Sequence, residues 1–129
     1  MLDMATTASE LTIEDMREAY ARIAPHIKRT PVLTSEYLND LTGAELFFKC
    51  ENFQEAGAFK VRGACNAVFG LDEAAARKGV CTHSSGNHAL SLSYAAGRRG
   101  IPCNVVMPRT APQAKKDAVQ RYGGMITEC

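Results

Sequence analysis

Lys60 stands between Phe59 and Val61 in the stretch Gly57-Ala58-Phe59-Lys60-Val61-Arg62-Gly63-Ala64. An ammonium withdrawn from water favours its neutral form, and a neutral amine is both a nucleophile and a base. Two readings follow. Lys60 is either a first-turn helical residue with its ammonium in water, or a reaction centre. The small residues Gly57, Ala58, Gly63 and Ala64 favour the second, because they let something bulky approach the backbone closely. A glycine inside a helix is otherwise mildly unfavourable. Arg62 and Lys49 read as ordinary solvated charges.

The second chemical stretch is Thr-His-Ser-Ser-Gly-Asn-His-Ala-Leu, residues 82–90, where a strand gives way to a helix. The first amides of a helix lack intrahelical partners and carry the positive end of the macrodipole. With Ser84, Ser85 and Asn87 beside them, they form a candidate anion site. In open α/β sheets ligands gather at the carboxyl ends of strands, where this loop falls. The plainer reading is that Ser85 or Asn87 caps the helix. The Gly-x-Gly-x-x-Gly spacing of a dinucleotide site is missing, and so is a Walker loop. His83 and His88 do not make a serine hydrolase, since no Gly-x-Ser-x-Gly elbow is present. Two histidines without supporting carboxylate or cysteine spacing do not make a metal site either.

These stretches need elements to position them. Residues 12–25 read as a helix capped by Thr12, with Asp15 three residues later and a stripe of Ile13, Met16, Tyr20 and Ile23. A short helix spans 35–43, from Ser35 as cap to Gly43 as stop, residues 45–50 are a strand candidate, and 59–70 look helical. From Gly79 onward strands (Val-Cys-Thr-His, Cys-Asn-Val-Val-Met, Met-Ile-Thr-Glu-Cys) alternate with helices, one of them ended by Gly100 and one opened by Pro112. That alternation predicts an α/β fold, a parallel sheet with flanking helices. The sequence reaches Cys129 on a strand with no following helix, and parallel sheets take helices on both faces. The expectation is the front part of a larger α/β protein.

The 129 residues carry 15 basic and 14 acidic side chains, a net charge of +1. This balance offers no electrostatic reason for nucleic acid or an anionic membrane as partner. The five cysteines form no Cys-x-x-Cys pair and sit among apolar or β-type neighbours, which reads as free thiols in a reducing compartment. The opening Met-Leu-Asp-Met-Ala-Thr-Thr-Ala-Ser has no basic start and no apolar h-region, and no apolar run approaches the ~20 residues that span a membrane. A soluble, cytoplasmic protein is expected.

Taken together, Phe-Lys-Val-Arg-Gly-Ala (59–64) and Ser-Ser-Gly-Asn-His (84–88) resemble the fold-type II pyridoxal-phosphate enzymes, the tryptophan synthase β family. Within it they look like the serine/threonine dehydratase and serine racemase branch. The cysteine synthase branch usually has a different lysine context and Thr-Ser-Gly-Asn-Thr. The likeness runs over about residues 11–129.

The resemblance implies that Lys60 holds pyridoxal 5′-phosphate as a Schiff base, with Phe59 packed beside the ring and Asn87 bonding its 3′ oxygen. It implies that Ser84, Asn87 and His88 hold the substrate carboxylate. Ser85 would face Lys60 from the opposite side of the cofactor, the second base that racemisation needs. Lys60 alone, with the cofactor phosphate assisting loss of the β-hydroxyl, would suffice for dehydration. Residues 1–75 would belong to the cofactor domain and 76–129 to the start of the smaller substrate domain. The family's phosphate loop and any divalent-cation ligands would lie beyond Cys129, so no metal site is expected here. A homodimer is implied for the full-length protein.

The pattern departs in two places. Ala58 stands where serine is frequent, as it does in some hydroxyaspartate dehydratases and plant or fungal serine racemases. Glu55 replaces a basic residue of animal serine racemases, and an acidic side chain there would repel a triphosphate. The expected activity is ammonia-lyase action on L-serine or L-threonine, with racemisation of serine beside it and L-threo-3-hydroxyaspartate as the alternative substrate. A silent fragment or interaction piece is the other hypothesis, and cofactor binding separates the two.

Overall fold

The computed structural model describes residues 10–129, so the reading of the first nine residues as lacking a leader lies outside the described residues. Helix α1, Ile13–Ile23, begins with a complete capping box. Thr12 accepts from the Asp15 amide at 3.2 Å, and the Asp15 carboxylate accepts from the Thr12 amide at 2.8 Å. Of its apolar stripe only Ile23 is buried. Ile13, Met16 and Tyr20 stay more than half exposed, so the periodicity was real but the expected core face is mostly uncovered.

Strand β1, Val32–Leu33, follows, and helix α2, Glu36–Thr42, is capped by Ser35 and closed by Gly43 as expected. Strand β2 is only Phe48–Lys49, shorter than the 45–50 span expected, and pairs antiparallel with β1. Single 3-10 turns at Glu51–Phe53 and Glu55–Gly57, the second kinked at Ala56, lead to helix α3, Lys60–Phe69. Helix α4, Glu73–Lys78, was not anticipated.

The expected alternation then appears. Strands β3 (Val80–His83), β4 (Cys103–Met107) and β5 (Met125–Glu128) form a parallel sheet in that order. Helices α5 (Asn87–Arg99) and α6 (Gln113–Arg121) make the crossovers. The fold is α/β, a parallel sheet with flanking helices.

The core lies where α3 meets α5. Val61, Ala64, Cys65 and Val68 of α3 and Ala89, Leu92, Ala95 and Ala96 of α5 are buried in one cluster with Cys103, Val105 and Met107 of β4. Mostly small side chains on both helices let their backbones approach closely, and this sets how near the starts of the two helices come. The other sheet face keeps Cys81, His83, Asn104, Met125 and Thr127 exposed. All five cysteines are free thiols, and burial pushes the Cys65 thiol up to about 11. No helix among the described residues is long and apolar enough to cross a membrane.

Candidate active site

Lys60 is the first residue of α3, and the chain delivers it there by a tight turn. Ala56 and Gly57 both take left-handed backbone angles (φ 53 and 68), and Ala58 is then extended and buried. Phe59 precedes the helix without making a side-chain cap. Val61, fully buried, anchors the next position. The Lys60 side chain therefore stands out between two fixed neighbours. It is exposed, with its ammonium 5.3 Å from the centroid of the Phe59 ring. Its exposure matches the first of the two readings, a first-turn helical residue with its ammonium in water, and not the desolvated amine. Lys60 opens onto a cleft of about 340 Å³ lined by Phe59, Lys60, Arg62, Gly63, Ala64 and His88.

The facing wall comes from α5. The first helical residue is Asn87, preceded by Gly86 with no side-chain cap, so neither Ser85 nor Asn87 plays the capping role that was the plainer reading. Ser84 turns back on its own loop. Its amide donates to the Val106 carbonyl at 3.2 Å, and its hydroxyl accepts from the Gly86 amide at 3.2 Å. The first-turn amides of α5 thus carry no side-chain acceptor, and they sit at the carboxyl end of β3.

Of the six residues singled out from the sequence, Phe59, Lys60 and His88 share the cleft. Ser84 and Ser85 are half-buried in the adjoining loop. Asn87 lines a neighbouring cavity of about 150 Å³ with Leu90, Met107, Lys115 and Val119. No three His, Cys, Asp or Glu side chains among the described residues come together to hold a metal ion.

Sequence reasoning missed the polar cluster behind Lys60. Arg62 is not a solvated charge. Its Nε and one terminal nitrogen donate to the two Glu51 oxygens at 2.8 and 2.7 Å. Thr30, itself buried, donates its hydroxyl to Glu51 at 2.6 Å. Lys49 is likewise engaged, donating to the Thr30 carbonyl at 2.7 Å. The Arg62 bonds pull the Glu51 carboxyl down to about 2, against the opposing effect of burial and with help from Thr30. Gln54, also buried, accepts from the Lys28 amide and donates to the Lys28 carbonyl, both at 2.8 Å, and Glu55 pairs with the Lys28 ammonium at 3.2 Å. The only sequence cue was chemical: polar side chains among apolar neighbours, whose partners lie up to 26 positions away.

Comparison with known proteins bears on this geometry. A model of the family described as "Pyridoxal-phosphate dependent enzyme" matches residues 23–129. The chain is 79% identical over 118 residues to the beta-hydroxyaspartate dehydratase of Paracoccus denitrificans (strain Pd 1222), covering 92% of this chain and 38% of that protein. It is 53% identical to a crystal structure of serine racemase from Dictyostelium discoideum, with a TM-score of 0.89 over 92% of this chain and 39% of that one. A crystal structure of a T.th. threonine deaminase is 40% identical, with a TM-score of 0.82 over 92% of this chain and 37% of the other. The chain thus spans little more than a third of the length of these relatives. With its family model matched over most of its residues, the chain belongs to the pyridoxal-phosphate dependent enzymes.

Proposed function

We propose that this chain is the lysine-bearing part of a pyridoxal-phosphate ammonia-lyase that dehydrates a small β-hydroxy amino acid to an enamine, whose hydrolysis gives a 2-oxo acid and ammonia. The observation carrying this reading is the cleft in which Lys60, Phe59 and His88 meet beside the uncapped start of α5. Identity of 79% to a beta-hydroxyaspartate dehydratase supports 3-hydroxyaspartate as substrate ahead of serine or threonine. Identity of 53% to a serine racemase supports a second activity, racemisation of serine. Five free thiols support a reducing cytoplasm as its place of work, and the protein would act as a homodimer. Residues 1–75 would serve the cofactor and 76–129 the substrate.

The residues fit the cofactor. An exposed primary amine opens onto the cleft beside an exposed aromatic ring, and a side chain added at Gly63 would meet nothing within 4 Å, so the wall is open to a planar ring. Lys60 would hold the cofactor, with Phe59 against its ring and Asn87 on its ring oxygen. When bound, pyridoxal phosphate supplies an electron sink that acidifies the amino acid's α-carbon. The rest falls to the chain's own groups. The first-turn amides of α5, with Ser84, Asn87 and His88, receive the substrate carboxylate. The Lys60 amine takes the α-proton, and the β-hydroxyl departs as water carrying that proton, which gives dehydration. Ser85 holds the proton that would return from the other face in racemisation.

The test is turnover by a protein bearing this sequence at the full length of the relatives. It should form ammonia and a 2-oxo acid from 3-hydroxyaspartate faster than from serine or threonine, and Lys60→Ala should abolish turnover of all three. Turnover that survives Lys60→Ala would overturn the assignment.

A further inference from the structure

We infer that Glu51 is a positioning residue for Lys60, acting through Arg62 and the first turn of α3. The inference rests on the proposed function, because it concerns how the amine assigned to the cofactor is held.

Helix α3 begins under poor local conditions. It has no side-chain cap and no acidic residue in its first turn, and it carries two cations there, Lys60 and Arg62. Cations at a helix start oppose the macrodipole, even though the Val61 and Arg62 amides find the Ala58 and Phe59 carbonyls at 3.3 and 3.0 Å. The approach to the helix is irregular, with two consecutive left-handed residues at Ala56 and Gly57. The charge at this start is therefore left for a group outside the helix to balance.

Glu51 supplies what the helix lacks. It brings an anion from outside the helix and engages Arg62 through both oxygens, so the guanidinium plane and the carboxylate plane fix one another. The anion is itself held. Thr30 donates to it from a buried position, and the Lys49 ammonium bonds the Thr30 carbonyl. Gln54 bridges the Lys28 backbone and accepts from the Glu55 amide at 3.0 Å, tying the turn before α3 to the same segment. Residues 28–30, 49–51 and 54–55 thus form a frame, and Arg62 plugs α3 into it two positions after Lys60. The Glu51 and Arg62 side chains are 16% and 29% exposed, sheltered enough for the pairing to resist salt. Arg62 also lines the cleft, so a change in its position is a change in the cleft wall.

The test treats the chain with substoichiometric pyridoxal phosphate, reduces with borohydride, and compares label on Lys60 with label on exposed Lys78 by peptide mass. Amide exchange of residues 59–63 is followed in parallel. In Glu51→Gln the Lys60-to-Lys78 ratio should fall about tenfold, as expected of an amine moved off its geometry, and the 59–63 amides should exchange faster. Thr30→Ser, which keeps the hydroxyl, should retain the wild-type ratio, whereas Thr30→Val should lower it. A folded Glu51→Gln with unchanged ratio and unchanged exchange overturns the inference. If Glu51→Gln does not fold, Thr30→Val decides by the same two readouts. Lack of any Lys60 preference in the wild type would count against the proposed function instead, and the exchange of residues 59–63 would still decide the role of Glu51.

Discussion

Arg62 grips both carboxylate oxygens of Glu51, at 2.8 and 2.7 Å, two positions beyond the lysine that opens onto the cleft. The pair has a pH signature. Because the Glu51 carboxyl is pulled from 4.5 to about 2, the folded state holds the charged form more strongly than the unfolded chain does. Its stabilisation is complete above pH 4.5 and is lost as pH falls through the range down to about 2. Denaturant midpoints should decline over that range in the wild type and decline less in Glu51→Gln. Parallel slopes for the two proteins would show that the pair carries no such linkage.

A second acid response comes from His26. Its ring stacks on Phe69 with centroids 3.7 Å apart, and its Nδ1 is buried without a hydrogen-bond partner. Burial, and then the nearby Arg98 charge, hold this imidazole below its ordinary 6.5. The folded state therefore prefers it neutral, and its contribution is present above pH 6.5 and is lost as pH falls below that value. His26→Phe should keep the stacking and remove this part of the decline. Urea unfolding at a series of pH values between 7 and 5 checks it.

Gly63→Ala should separate folding from function. An added methyl meets nothing within 4 Å, and alanine in a helix interior is favoured over glycine by about 0.5–1 kcal/mol, so the fold should gain roughly that much. The same methyl projects from a residue lining the cleft. Cofactor capture should weaken while the denaturant midpoint rises. A fall in both would mean that the glycine serves packing.

Ser85→Ala bears on the two activities. If Ser85 handles a proton on the face opposite Lys60, its loss should lower serine racemisation by about 10²-fold and leave dehydration of the L-substrate near wild type. Chiral analysis of recovered serine alongside 2-oxo acid release measures both, and equal effects on the two would remove Ser85 from that role.

The sequence disclosed what depends on short-range pattern. Residues 59–70 read as helical and α3 does begin at Lys60, and the parallel sheet follows from strand–helix alternation after Gly79. Strand β1 was hidden because two residues show no periodicity. Helix α4 did carry local signals, a capping Asp72 that accepts from the Ala75 amide at 2.7 Å and Arg77 and Lys78 in its last turn, but six residues are too few for an apolar stripe. The exposed side of α1 illustrates the converse, since an amphipathic pattern says which face is apolar and not what will cover it. In the site, the two motifs were legible as chemistry. The Glu51–Arg62–Thr30 cluster was not, because long-range side-chain pairing leaves no spacing to read. The exposure of Lys60 was one of the two readings its neighbours allowed, and choosing between them depends on how much wall stands around the cleft.

The central claim is that one amine, that of Lys60, receives the cofactor. Reductive capture with substoichiometric pyridoxal phosphate, read by peptide mass, tests it most directly. The added mass should fall on the peptide containing Lys60 and disappear in Lys60→Ala. Label shared evenly among the exposed lysines, or concentrated on a lysine outside the cleft, would contradict it.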